Sequence, residues 1–443
     1  MPASRLLTSS QQAVRLLDAA SGGQEWQFGP VAANTSCVVV KGPTPSADHL
    51  YVGTADGWVY KLSFETGAQL AKFAVGGTAW GLAYADGVVY VNAGTTLQAH
   101  HATAGLLWTQ NMGDLAWGNP VVANGIVYSG SWDGKLYAVD VNGSPAWIST
   151  AFNYFAAEPT VVDGVVYVAT LTEQLVALDA ATGAVIWQAQ SSNKANIVDP
   201  VTVANGRVYA GTHWGGLLCS FDAATGVEQW SVSVGGHPAV ALYRDGRIYV
   251  ATEHGAGPGY LRAFDAGSGM LLWTSQTPTG SAGDAVSRPA ADEGTNTAFA
   301  FVTSQDGHAY AFDRDTGGSA WKVAIGTGWP VDPAWTDAQG SLVPHDHRYY
   351  AAIDPLALVL RGDIYVKINL PYPQPVEVLA ARVRKMAGGM NRAEKNDALA
   401  QLKSLDTVAR MMQQAIRKAG VRSGRQARYR TEVPVPAGGA PRE

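Results

Sequence analysis

Cysteine is nearly absent from this chain: two residues in 443, Cys37 and Cys219. Thiols 182 positions apart exclude a disulfide framework and form no paired-cysteine metal motif. Charge is scarce too, at 15% of residues against 47% hydrophobic, which excludes wholesale disorder. No run approaches eighteen consecutive apolar residues, so no transmembrane helix is expected. Residues 1–22 carry Arg5 and Arg15 but no unbroken apolar stretch; no secretory signal is read, and a cytoplasmic location is expected. No glycine-rich phosphate loop opens a helix, and no Gly-x-Ser-x-Gly elbow is found.

What is abundant is glycine (50) and tryptophan (14), and a repeat accounts for both. One phrase reads LDAASGGQEW at Leu17–Trp26, LDAATGAVIW at Leu178–Trp187, FDAATGVEQW at Phe221–Trp230, FDAGSGMLLW at Phe264–Trp273 and FDRDTGGSAW at Phe312–Trp321. Degenerate copies surround Gly67, Gly105 and Gly143. From Gly22 to Gly317 the eight turn glycines are spaced by 45, 38, 38, 40, 43, 43 and 48 residues, a propeller period. Alternating residues on each side predict two strands, with the Asp and Gly forming the hairpin loop. A tryptophan four residues on buries about 150–250 Å² between neighbouring sheets, worth on the order of 4 kcal/mol of gross transfer energy.

A second phrase alternates with the first: DGVVYV at Asp86–Val91, NGIVYS at Asn124–Ser129, DGVVYV at Asp163–Val168, NGRVYA at Asn205–Ala210 and DGRIYV at Asp245–Val250. Asn-Gly or Asp-Gly between alternating strands marks a tight hairpin. Two hairpins per period make one four-stranded blade. The expected fold is all-β: an eight-bladed β-propeller of four-stranded antiparallel blades, closed by N- and C-terminal strands, over residues 1–370. The closing blade is expected to join strands near 356–370 to strands near 11–28, with 327–355 an inserted loop. Arg361-Gly362-Asp363 then reads as a turn.

At these residues the chain resembles the repeat of the pyrroloquinoline-quinone enzymes, close to Ala-x-Asp-x-x-x-Thr-Gly-x-x-x-Trp. LVALDAATGAVIW and LCSFDAATGVEQW match it well, and the likeness runs through nearly all of 11–370. The resemblance implies an eight-bladed quinoprotein-like propeller. It does not by itself imply quinone chemistry, since relatives such as the lipoprotein propeller of the outer-membrane β-barrel assembly machinery use it as a scaffold. Enzymes of the family carry adjacent cysteines over the cofactor and calcium ligands and an Asp base on long loops. Here the cysteines are far apart and the blades lean. Trp80, Trp117, Trp132, Trp214 and Trp329 offer no unique floor for a quinone. The noncatalytic scaffold branch is therefore favoured, with no catalytic residues, no metal site, and neither the quinone (PQQ) nor calcium expected.

Inter-blade segments end in a polar residue and Pro: Asn119-Pro120, Glu158-Pro159, Asp199-Pro200, His237-Pro238, Arg288-Pro289 and Asp332-Pro333. Proline is tolerated at a first strand position. With Trp117, Tyr154, Trp214 and Trp329 in the same class of loops, these residues outline a polar and aromatic channel mouth for a small molecule or peptide. The plainer reading is that they hydrogen-bond neighbouring blades. His345-Asp346-His347 lacks further obvious ligands and reads as a polar loop.

The charge is lopsided. Residues 1–375 hold 17 basic and 30 acidic side chains, residues 376–443 hold 14 and 6. Past 371 the pattern turns helical, and a two-helix hairpin is expected to about 420. Its second helix places Leu402, Leu405, Met412 and Ile416 at coiled-coil spacing. Residues 376–419 either pack on the propeller or dock another subunit or a second copy. Residues 421–443, with Arg422, Arg425, Arg428 and Arg430, read as a basic disordered tail for which nucleic acid or an anionic surface is not the expected partner. The function expected is a scaffold binding other protein subunits within a larger assembly. A ligand-sensing propeller or a PQQ-dependent dehydrogenase is the alternative.

Overall fold

The computed structural model describes residues 5–343 apart from 11, 36, 43, 117, 153–157, 171–173, 196, 198–199, 213–215, 254–257, 281–286, 292–297, 327–333 and 337–341. Within them the chain forms eight antiparallel sheets, each a meander from the channel outward. Blades 1 to 7 span 38–74, 79–111, 121–148, 160–190, 202–233, 237–274 and 290–324. Blade 8 combines Ala334–Thr336 with Arg5–Ser9, Val14–Asp18 and Gln24–Phe28.

Closure thus differs from the sequence expectation in its strands. The N-terminus supplies three strands rather than one hairpin, and Ala334–Thr336 pairs with the first of them, with Leu7 opposite Ala334 and Arg5 opposite Thr336, while Leu342–Val343 pairs on its far side as the edge of that sheet. The region read as an inserted loop contains that strand and a further one at Leu342–Val343. Arg5–Ser9 escaped notice because its turn carries no Asn-Gly or Asp-Gly. Ser10 makes it instead, its backbone N–H donating to Ala13 carbonyl at 2.9 Å. The hairpin read at 356–370, His345 and His347, the helices with Leu402, Leu405, Met412 and Ile416, and the Arg422–Arg430 tail lie outside the described residues.

The two phrases produce the elements they predict. Asp86, Asn124, Asp163, Asn205 and Asp245 all adopt φ near +50°, each followed by a glycine at positive φ, the twist of a two-residue hairpin. In the longer phrase Asp179 Oδ1 accepts from the backbone N–H and the hydroxyl of Thr182 at 2.8 and 2.7 Å, bonds that hold its carboxyl below the ordinary range. The same clasp recurs at Asp18–Ser21, Asp222–Thr225, Asp265–Ser268 and Asp313–Thr316. The hydroxyl in this phrase therefore has a role that the sequence reading did not give it.

The seven phrase tryptophans bind one blade to the next. Trp187 of blade 4 lies over Gly226 of blade 5, so that a methyl built on the glycine would come within 2.6 Å of the ring. Its Nε1–H donates to Ala223 carbonyl at 3.0 Å. Tyr167, on the second strand of blade 4, has its ring 5.9 Å from that indole, and its hydroxyl donates to the same carbonyl at 3.1 Å. Burial pushes the Tyr167 phenol up to about 12, so it remains a donor. Trp321 of blade 7 reaches Ala19 carbonyl of blade 8, and Trp26 of blade 8 reaches Phe64 carbonyl of blade 1. The ring therefore closes through the same contact that builds it.

Candidate functional site

In an antiparallel meander, first-to-second and third-to-fourth strand turns share one end of a blade. Second-to-third turns and inter-blade loops share the other. Both sequence phrases occupy the first end, so the residues before the innermost strands gather at the second, around the channel mouth.

Three of the residues read as mouth residues meet there. Glu158, before the innermost strand of blade 4, accepts on Oε2 from Asn119 Nδ2 at 2.6 Å and from its backbone N–H at 3.2 Å. Its Oε1 accepts from Arg288 Nη2 at 2.8 Å. Arg288 precedes the innermost strand of blade 7, so the ion pair joins blades three places apart and must cross the central opening. Both side chains are almost completely buried, at 3% and 1% exposure. Asn119 Oδ1 in turn accepts from the Leu82 backbone N–H of blade 2 at 3.0 Å.

The network extends to residues that the sequence did not mark. Asn92 Nδ2 donates to Gly118 carbonyl at 2.9 Å, and Ser129 Oγ donates to Asn92 Oδ1 at 2.9 Å. Gly81 allows the backbones of blades 2 and 3 to touch, since a methyl built on it would fall 2.0 Å from Gly118 carbonyl oxygen. Buried hydroxyls at the ends of second strands close the adjoining turns: Thr54, Thr170, Thr212 and Thr252 donate to the carbonyls of Trp58, Gln174, Leu217 and Tyr260. The signal was present as a small residue followed by Thr at the end of these four second strands, in Gly53-Thr54, Ala169-Thr170, Gly211-Thr212 and Ala251-Thr252.

Of the other mouth candidates, His237 alone lies among the described residues. His237 is half-buried and begins a two-residue strand opposite Glu253, so its Pro lies inside the sheet and not before it. Trp117, Tyr154, Asp199, Trp214, Trp329 and Asp332 lie outside the described residues. Asn119, Glu158 and Arg288 bond to neighbouring and opposite blades, as the plainer of the two readings expects.

Chemically the cluster is a brace. A carboxylate that accepts from an amide side chain, a backbone N–H and a guanidinium is saturated by donors and ill suited to take a proton from a substrate. Arg288 is committed to Glu158, and Cys37 and Cys219 are buried on blades 1 and 5, their thiols pushed up to about 12 by burial. Among the described residues no three His, Cys, Asp or Glu side chains converge to hold a metal ion.

Comparison with known proteins follows the architecture. The family model described as outer membrane protein assembly factor BamB matches residues 10–105, 93–239 and 194–352. A BamB from Yersinia pestis is 29% identical over half of this chain and 61% of its own length. The dehydrogenase subunit of a quinone alcohol dehydrogenase from Acetobacter aceti is 35% identical, over 27% of this chain and 19% of its own. The chain thus spans about three fifths of the one relative and about one fifth of the other. The crystal structure of BamB from Moraxella catarrhalis superposes with a TM-score of 0.55 at 17% identity, covering 69% of this chain and 97% of that one. The cytoplasmic expectation is overturned by these findings, because relatives matching about half of the chain are outer membrane protein assembly factors. It rested on reading no secretory signal in residues 1–22 and no long apolar run elsewhere. The matches run through seven blades and reach the strands that close the eighth, and the chain belongs to the PQQ-repeat propeller family described as outer membrane protein assembly factor BamB.

Proposed function

We propose that this protein is a noncatalytic scaffold in a multi-subunit assembly that serves outer membrane protein biogenesis. The observation that carries the reading is the mouth itself: the carboxylate and guanidinium placed where a propeller enzyme would work on a substrate are spent on each other. Relatives named as assembly factors match over a larger share of the chain than the quinone dehydrogenases do. Within this reading the finer proposal is that residues 376–419, with Leu402, Leu405, Met412 and Ile416, form a docking element for a partner subunit.

The test is affinity purification of the tagged full chain from its native cells after cross-linking, with and without residues 376–443. Recovery of outer membrane assembly subunits supports the scaffold, and their loss on truncation supports the docking element. Reduction of an artificial electron acceptor by purified protein given the quinone, calcium and alcohols would overturn the noncatalytic reading.

A further inference from the structure

Among the described residues, seven of the eight seams between blades hold an indole, and the seam between blades 1 and 2 does not. At the tryptophan position of blade 1 stands Ala71, which is exposed. In the other blades the cross-strand partner of the tryptophan is mostly small, such as Ala99, Ala177 or Ala263, whereas Ala71 faces Lys61. The turn glycine of blade 2, Gly105, is exposed as well, and a methyl built on it meets nothing within 4 Å. At the seven counterparts the nearest indole atom lies 2.5 to 2.9 Å from such a methyl.

A second observation falls at the same seam. Tyr51 is the blade 1 counterpart of Tyr128, Tyr167 and Tyr209, whose hydroxyls donate to a carbonyl of the next blade. Tyr51 is 2% exposed, and its buried hydroxyl has no hydrogen-bond partner. The seam is held by substitutes: Phe73 stacks on His100 with centroids 4.4 Å apart, and Gln98 Nε2 donates to Val75 carbonyl at 2.9 Å. Leu70, Leu106 and Leu107 flank the opening at 56, 57 and 47% exposure.

We propose that this seam is an acceptor slot for a tryptophan carried on an extended apolar segment of another protein. The seven occupied seams define the ligand chemistry. An indole packs on the turn glycine, at five of the seven seams its N–H donates to the carbonyl three residues earlier, the place held here by Ala102, and apolar neighbours on its strand, such as Val185 and Ile186 beside Trp187, run along the rim. Lys61, whose Nζ lies 5.7 Å from the Tyr51 ring centre, supplies a cation for an aromatic face. The partner inferred here docks on the outer wall, away from the mouth brace, and the inference stands whether or not the scaffold reading holds.

The probe is the acetylated, amidated peptide Ala-Val-Ile-Trp-Gln-Ala, copied from 184–189, titrated into the isotope-labelled full chain. The expected result is saturable binding that shifts the amide resonances of Gly105 and Leu106, and at least tenfold weaker binding when the peptide tryptophan is replaced by alanine. Ala71→Trp should fill the slot and weaken the parent peptide at least tenfold. Gly105→Asn, which tolerates the +78° φ there, should do the same should Ala71→Trp not fold. Absence of saturable binding would overturn the proposal, as would binding indifferent to the folded slot variants. A dimer of the full chain that Ala71→Trp dissolves would assign the slot to a second copy and overturn it too. Slot-dependent binding of neutral phospholipid vesicles in place of the peptide would likewise count against it.

Discussion

The seam between blades 4 and 5 and the seam between blades 1 and 2 are built on the same repeat and filled in opposite ways. At the first, Trp187 and Tyr167 converge on one carbonyl of the next blade, over a buried glycine. At the second, alanine replaces the indole, the glycine is exposed, and the tyrosine hydroxyl is buried without an acceptor. The repeat therefore tolerates loss of a staple provided that the ring is held elsewhere. Closure at blade 8 and the ion pair across the mouth supply that restraint. A seam freed from holding the ring is available for recognition.

The largest effect is expected from removing the restraint common to all seams. Arg288→Ala leaves Glu158 charged and buried, and should destabilise by about 3–5 kcal/mol in urea unfolding. The double change Glu158→Leu, Arg288→Met should recover much of that loss, because it removes the uncompensated charge. Breaking one staple comes next: Trp187→Ala should cost about 3–4 kcal/mol, read as a lower denaturation midpoint. Smaller still is the contrast between two glycines. Gly226→Ala meets both a left-handed backbone and the Trp187 ring, whereas Gly105→Ala meets the backbone penalty alone, about 1–2 kcal/mol. A deficit for Gly105→Ala equal to that for Gly226→Ala would erase the difference between the seams.

A further contrast concerns pH. Burial against Phe73 pushes the His100 imidazole down to about 4, from an unfolded value near 6.5. The unfolded chain then binds the extra proton first as pH falls. The His100 contribution to stability is thus complete above about pH 6.5 and is lost progressively toward pH 4. Other blades carry Leu178 or Phe221 at the equivalent position. His100→Leu should therefore flatten the difference between unfolding midpoints measured at pH 7 and pH 4.5, relative to the parent protein. An unchanged difference would remove the histidine from the account.

Much of the fold was legible because its parts are local. Asp163-Gly164 forces a tight hairpin wherever it falls, and Asp179, Thr182, Gly183 and Trp187 lie within one turn and strand of each other. The count of eight blades followed from those phrases. The closing strand was not legible: Ala334–Thr336 is three residues long, carries neither phrase, and is specified by its pairing with Arg5–Ser9 at the opposite end of the chain. The mouth was legible only in part. The Pro-flanked positions named Asn119, Glu158 and Arg288, but a salt bridge between residues 130 positions apart follows from ring geometry, which no local pattern records. Asn92 and Ser129 were missed because on their own strands they look like ordinary interruptions of an apolar run. The open seam was visible as a missing tryptophan at Ala71, yet its meaning required seeing what the other seven do.

The most direct test is the thermal midpoint of Lys61→Ala, Ala71→Trp beside that of Lys61→Ala alone. The double change restores at blade 1 the small residue and indole found opposite each other in most other blades. If the seam is an unfilled copy of the others, the double variant melts at a higher temperature than the single one. An equal or lower midpoint would show that the seam is shaped for its substitutes and cannot seat an indole, which contradicts the account.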